Sequence, residues 1–259
     1  MTSTTKLFLN GFNGKMGQAI TRMAHTSPKY EVVGGSALNE IATCQGETYK
    51  PSSSDLIDLI NEADVLVDFS SAAGNASLFK TLKSNPPKKA KIMIGSTGLS
   101  QQQLDDWHKF ANETNTPILI APNTSLGVLL TLKTSLQIAK ELHGLDFDIE
   151  IIESHHRNKI DSPSGTAMFL GKNISNQENL KIQSNRTGKR EDSELGIVAL
   201  RGGSVFGEHT VRFMGESEEI EITHRALSRD LFAKGALSLA SWIKRQSESR
   251  VYQLTEVDL

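Results

Sequence analysis

The sequence predicts an α/β protein with a parallel-sheet domain over residues 1–125, completed by a C-terminal helix within 231–259, and a central α+β domain over 126–230. Three observations predict it. Strand and helix patterns alternate through the first 125 residues, as a parallel sheet requires, because each crossover must carry the chain back to the same edge. A spaced glycine triplet, Gly11, Gly14 and Gly17, falls at the first strand-to-helix junction. Beyond residue 126, several period-two segments follow one another without intervening helices, the pattern of a mixed or antiparallel sheet.

Each element follows from local pattern. Residues 6–10 (KLFLN) form a short buried strand, and 18–24 have helical periodicity after the glycines. Residues 31–36, 65–69, 91–95 and 117–121 are apolar strands, separated by helices over 56–61, 76–83 and 101–115. A long apolar helix spans 126–143. Residues 146–153 (DFDIEIIE) alternate, as do 197–200, 208–213 and 218–223. A helix begins at Thr166, the polar stretch 176–194 reads as a loop-rich insertion, and the apolar helix from Leu231 is expected to dock on the first domain.

Composition excludes several classes. A formal net charge of -2 with no like-charge block gives no footprint for nucleic acid. One cysteine, Cys44, allows no intrachain disulfide, in keeping with a reducing compartment. The N-terminus lacks the apolar core of a signal peptide, and no run of about 18 apolar residues occurs. A cytoplasmic protein without membrane contact is expected.

The glycine turn is the candidate nucleotide end. Gly11, Phe12, Asn13, Gly14, Lys15 and Met16 connect the first strand to its helix in G-x-x-G-x-x-G spacing. Such a turn lets backbone approach a pyrophosphate and aims a helix start at it, although ordinary loop glycines share the spacing. Ligands of parallel sheets sit outside the carboxyl ends of the strands. That rule adds Asp68-Phe69-Ser70, then Gly95, Ser96 and Thr97, then Ala121, Pro122, Asn123 and Thr124. The second strand ends in Ser36-Ala37-Leu38-Asn39, with no carboxylate until Glu40. A missing carboxylate removes repulsion against a 2′-phosphate, and Lys15 offers a cation to meet one. NADPH is favoured, with NADH the alternative and a solvated Lys15 the plainer reading.

Residues 153–167, ESHHRNKIDSPSGTA, hold the densest chemistry. His155, His156 and Lys159 are proton carriers or anion binders. Ser164-Gly165-Thr166 opens a helix, whose first-turn amides bind carboxylates or phosphates. Proton donors beside an anion cradle suggest a small acidic substrate protonated during turnover; a charged surface loop is the bland alternative.

In order along the chain, GFNGKMG, VDFS, GSTG, APNTSLGV, ESHHRNKIDSPSGTA, RGGSVFGEHTVRF and EITHRALSRDLFAKGAL resemble the 4-hydroxy-tetrahydrodipicolinate (dihydrodipicolinate) reductase family over essentially the whole length. The HHxxKxDxPSGTA stretch is specific; the glycine turn is not. The resemblance implies a Rossmann-type domain built from the first part and the final helix, with a central substrate domain whose sheet forms a homotetramer. It implies NADH- or NADPH-dependent reduction of a cyclic dicarboxylate intermediate to tetrahydrodipicolinate, in the diaminopimelate branch of lysine synthesis. His155 matches the family's general acid/base and Lys159 its second proton donor, while His156, Lys159, Gly165 and Thr166 match substrate-binding positions. Ser164 is taken with them. Glu153 is placed to orient His155, Asp161 to orient the loop or pair with Lys159, and Arg229 to close over the site, with structural salt bridges the alternative for all three.

Three departures stand out. Ser162 replaces the usual alanine, Pro122-Asn123-Thr124 replaces Ala-Asn-Phe, and Leu38-Asn39 replaces an acidic-basic pair, so cofactor preference does not carry over. The rivals are a metal-dependent hydrolase, a non-catalytic dinucleotide sensor, and another Rossmann-type dehydrogenase acting on an amino or sugar acid. Adjacent His155 and His156 point apart in a strand, and no H-E-x-x-H helix occurs, so no metal is expected.

Overall fold

The computed structural model describes residues 4–37, 40–43, 48–49 and 53–258; Leu38, Asn39 and Cys44 lie outside them. The chain divides by its contacts into two compact units, one of residues 1–125 with 230–259 and the other of 126–229.

In the first unit the carboxyl ends of a parallel sheet carry the features of interest. Its strands are β1 (Thr5–Asn10), β2 (Tyr30–Ala37), β5 (Val65–Asp68), β6 (Lys91–Ile94), β7 (Ile118–Ile120) and β13 (Val251–Gln253), with the hairpin β3 (Glu40–Thr43) and β4 (Thr48–Tyr49) beyond β2. The order is β13-β7-β6-β5-β1-β2-β3-β4. Pairings from β13 to β2 are parallel, whereas β2–β3 and β3–β4 are antiparallel. The strands are continuous apolar runs because both faces are covered: Leu7, Phe8, Leu66, Ile92 and Ile94 are all inaccessible. Helices α1 (Lys15–His25), α2 (Ser53–Glu62), α3 (Ala72–Ser84), α4 (Gln101–Thr114) and α7 (Asp230–Lys244) complete the unit, α7 packing against α1, β1, β5 and β6. Two features differ from the sequence reading. The β3–β4 hairpin makes the sheet mixed, and β13 follows the last helix. Both are too short to show periodicity, and both depend on a neighbouring strand for their hydrogen bonds.

The second unit packs α5 (Leu126–Leu142) and α6 (Gly165–Glu178) on one face of a five-stranded sheet ordered β12-β11-β8-β10-β9. Its strands are β8 (Asp148–His155), β9 (Lys181–Ser184), β10 (Glu194–Arg201), β11 (Glu208–Met214) and β12 (Glu219–Arg225). The β9–β10 and β10–β8 pairs are parallel, β8–β11 and β11–β12 antiparallel. Leu132, Ile151, Leu170, Ile197, Val211 and Phe213 fill the core between helices and sheet. The expected loop over 176–194 is corrected: it contains the last turn of α6, the edge strand β9 and the first residue of β10. Arg186 pairs with Glu150 and Glu194, and Arg190 with Asp148. These ion pairs and the β10 ladder hold a segment whose own residues (KIQS) are too polar to signal a strand.

Candidate active site

The carboxyl end of β8 concentrates the titratable chemistry. Strand alternation puts Glu153 and His155 on one face. Across the ladders, His155 lies opposite Arg201 of β10 and Glu153 opposite His209 of β11. Glu153 is fully buried and His155 nearly so. Nδ1 of His155 is 2.5 Å from Glu153 Oε2. An ionised carboxylate only accepts, so Nδ1–H donates and Nε2 is left as the working nitrogen. Arg201 grips the other side of Glu153, donating from one terminal nitrogen to Oε2 and from the other to Oε1, each at 2.8 Å. The Ser164 amide donates to Oε1 at 2.9 Å. Gly207 lies against the free edge of the imidazole; a methyl group there would stand 2.9 Å from Nε2.

After β8 the chain turns back. The Lys159 amide donates to the His156 carbonyl at 3.1 Å, closing the turn, and His156 itself is half-buried. Lys159 Nζ sits 2.7 Å from Asp161 Oδ1. Ser164 is the N-cap of α6: its hydroxyl accepts from the Ala167 amide at 3.1 Å and lies 3.0 Å from Nε2 of His209. Ser164 is buried, whereas Gly165 beside it is exposed and Thr166 half-buried. The Gly165 amide also hydrogen-bonds to the Asp161 carboxylate.

Electrostatics set these groups apart. Burial pushes the Glu153 carboxyl up, but Arg201, His155 and the Ser164 amide outweigh it and hold the group below its ordinary value. Burial lowers the His155 imidazole and Glu153 works against it, while Lys159 and Arg201 lower it further. The contact with Lys159 holds the Asp161 carboxyl low. His209, its ring 5.1 Å from that of His155, is pushed down to about 4, first by burial and then by the His155 charge. The arrangement therefore has one neutral buried imidazole, one clamped imidazole with an outward nitrogen, and one ammonium held by an exchangeable carboxylate.

In the first unit, the glycine turn fits a dinucleotide's pyrophosphate. Gly11 has φ +85°, and a side chain there would run into the Phe69 carbonyl at 2.6 Å. At Gly17 a side chain would meet the Phe12 carbonyl at 2.3 Å, so α1 starts close against the turn. Gly14 is the N-cap of α1, with no side-chain cap, while serines cap α3, α4 and α6. An uncapped helix start is where an external anion is accommodated. Asn13, Gly14 and Lys15 are exposed, and Phe12 and Met16 half-buried. Beneath the turn, Asp68 is fully buried and accepts from Asn10 Nδ2 (2.7 Å), the Ser70 amide (3.1 Å) and hydroxyl (2.6 Å), Asn75 Nδ2 (2.8 Å) and Ser96 Oγ (2.7 Å). Gly95 is covered by the Phe69 ring, and Thr97 is exposed. After β7, Ala121 is buried and Pro122 exposed, and Asn123 Oδ1 accepts from the Ser125 amide at 2.9 Å. The Thr124 hydroxyl is buried and donates to the Phe232 carbonyl at 2.8 Å.

Two family profiles match in tandem: "Dihydrodipicolinate reductase, N-terminus" over residues 5–124 and "Dihydrodipicolinate reductase, C-terminus" over 127–257. The 4-hydroxy-tetrahydrodipicolinate reductase of Aquifex aeolicus is 41% identical over 257 residues, covering 93% of this chain and 94% of that protein. The chain belongs to the dihydrodipicolinate reductase family. That of Methanopyrus kandleri is 37% identical, covering 95% of this chain and 94% of its own length. Among solved structures, a dipicolinate-bound dihydrodipicolinate reductase from Paenisporosarcina sp. TG-14 superposes with a TM-score of 0.77 at 22% identity, covering 97% of this chain and 98% of that one, which establishes the shared fold. The family consists of pyridine-nucleotide-dependent reductases.

Within this family fold, the pairings of Glu153 with His155 and of Asp161 with Lys159 are present in the geometry. Arg201 and His209 carry no signal in the sequence that joins them to the site, and Asp68, a candidate from its strand end, is a buried acceptor rather than an exposed group. Arg201 and His209 lie 46 and 54 positions beyond His155, and only the β8–β10 and β8–β11 registers bring them to it. Period-two alternation in 197–200 and 208–213 signals the face, not the strand order. Arg229 is exposed, and nothing in the structure explains serine at 162.

Proposed function

We propose that this protein reduces 4-hydroxy-tetrahydrodipicolinate to tetrahydrodipicolinate at the expense of NADPH or NADH, in the diaminopimelate route to lysine. The observation that carries the reading is His155, clamped by Glu153 with Nε2 outward, at the foot of the turn bearing Lys159 and the start of α6. When bound, the reduced nicotinamide supplies the hydride. The 4-hydroxyl leaves as water with a ring proton, leaving a conjugated ring that would take the hydride at one carbon and, at the neighbouring carbon, one proton from His155 Nε2 or Lys159 Nζ. One substrate carboxylate displaces Asp161 from Lys159 and the Gly165 amide, with Thr166 and His156 flanking it. Ser164 acts through its cap and its contact with His209 rather than through the substrate.

Gly11 to Met16, Thr97, Pro122 and Asn123 form the nucleotide edge of the first unit. Gly95, Ser96, Ala121 and Thr124 shape it from beneath. Lys15, exposed at the start of α1, favours NADPH. In the second unit, Val198 and Leu200 are about half exposed on the sheet face opposite α5 and α6. That apolar face supports self-association into a homotetramer. Among the described residues no helix is long and apolar enough to cross a membrane; a cytoplasmic location fits the family's biosynthetic role.

Oxidation of NADPH and of NADH is followed on freshly generated substrate. Turnover with either cofactor is expected, faster with NADPH; no oxidation with either sinks the assignment. Light scattering of Val198→Glu/Leu200→Glu tests the assembly, with smaller particles expected.

A further inference from the structure

Arg201 is positioned where a substrate ligand would be sought: on the strand beside His155, with an anionic substrate expected nearby. Its hydrogen bonds say otherwise. One terminal nitrogen donates to Glu153 Oε2 and to the Leu200 carbonyl at 2.7 Å. The other donates to Glu153 Oε1 and to the Asp161 carbonyl at 2.6 Å. The four outer N–H bonds are thus committed within the protein, and Nε is buried. The fifth donor, Nε–H, has no partner but is inaccessible, so the guanidinium presents no exposed donor to a substrate carboxylate.

We propose that Glu153 and Arg201 are the positioning residues of the proton-transfer site: Glu153 fixes the His155 imidazole with Nε2 outward, and Arg201 locks Glu153 while tying down the backbone of Asp161, the partner of Lys159. This inference rests on the assignment of His155 and Lys159 as proton carriers. One side chain thereby connects both carriers to strand β10.

The physical need is charge balance as well as geometry. A buried carboxylate beside an imidazole stabilises its protonated form, and an imidazolium held that way is a poor acid. Arg201 satisfies the Glu153 charge with a bidentate fork, so the imidazole retains the orienting hydrogen bond without being held protonated. The groups facing His155 from the elements around it are Glu153 on its own strand, Arg201 on β10, His209 on β11 and Lys159 on the following loop. His209 is neutral near pH 7; burial lowers the ring most, Glu153 raises it, and Lys159 and Arg201 lower it further, Arg201 being the cation bonded directly to Glu153.

The test uses full-length Glu153→Gln, Arg201→Met and the double variant. The His155 titration is read by NMR of labelled histidine, without substrate, with the resonance assigned by its loss in His155→Asn. Glu153→Gln is expected to move the midpoint down, Arg201→Met to move it up, and the double variant to fall between them. The kcat of each single variant drops at least about ten-fold while KM changes by less than about three-fold, as befits residues that do not touch substrate. Arg201→Lys, which keeps the cation but loses the fork, guards against loss of folding. Its midpoint stays near that of the parent while kcat falls. Midpoints that move in the same direction, or stay fixed while the melting temperature drops, reduce the pair to a structural salt bridge and overturn the proposal. Full activity in His155→Ala overturns instead the proton-carrier reading on which it rests, whatever the titrations give.

Discussion

Each unit buries a carboxylate at the carboxyl end of its sheet, and the two are satisfied in opposite ways. Asp68 accepts only from neutral amides and hydroxyls, which come from the ends of β1 and β6 and the start of α3. Trp107 extends the set by donating to Asn75 Oδ1 at 3.0 Å. Glu153 meets a guanidinium and an imidazole. Neutral donors hold their geometry at every ordinary pH, so the Asp68 network is a fixed brace beneath the glycine turn. An imidazole can release and take up a proton, and a network that contains one is suited to moving protons. The difference matches the proposed division of labour, framework in the first unit and proton chemistry in the second.

The largest expected effect tests that division directly. His155→Ala and Lys159→Ala should each cut kcat by about 10²–10⁴, the usual contribution of a positioned acid or base. Nucleotide affinity, measured by fluorescence titration of NADPH, should be unchanged. A joint collapse of affinity and turnover would break the comparison. Asp68→Ala comes next: stranding its donors should cost about 3 kcal/mol or more in urea unfolding and weaken nucleotide binding, yet leave the pH profile of kcat in place. A shifted pH profile would show that the brace is not electrostatically inert.

Acid stability gives a smaller effect of known sign. An unfolded histidine takes its proton near pH 6.5, whereas His209 in the folded chain takes it at about 4. Between those values the unfolded state binds more protons, so stability falls as pH falls through the window. The loss is about 1.4 kcal/mol per unit, on the order of 3 kcal/mol across the whole window. His209→Gln should remove that part of the decline, measured as the difference in unfolding free energy between pH 7 and pH 5. His155 and His224 are also lowered, so part of the decline remains in both proteins. The smallest effect belongs to Lys15→Met, which should reduce the NADPH-to-NADH preference by about two- to five-fold, the worth of one exposed ion pair.

Legibility in the sequence tracked how local each cause was. The glycine turn, the Ser164 cap and the β8 alternation are set by neighbours within a few residues, and each could be read directly. Glu153 with His155 is an i, i+2 pair on one strand face, and Asp161 with Lys159 spans one turn, so both pairings were inferable. Thr124 follows a strand end, which makes it a candidate nucleotide contact; its bond to Phe232, 108 residues away, is invisible in a linear string. Ser96 is a candidate by the same rule, and the bond from its hydroxyl to Asp68 is equally invisible there. Strand β9 was missed because its stability comes from β10 and from Arg186 and Arg190.

The sequence alone determined the two-unit α/β architecture, the glycine turn and the grouping of His155 and Lys159 beside the Ser164 cap, since periodicity, backbone freedom and side-chain chemistry are properties of short segments. Only the tertiary structure decided that Arg201 faces Glu153, that His209 is buried and neutral, and that Asp68 joins the ends of β1, β5 and β6. Strand order and burial set which distant groups meet and how strongly water screens them, and neither is written in any local stretch of chain.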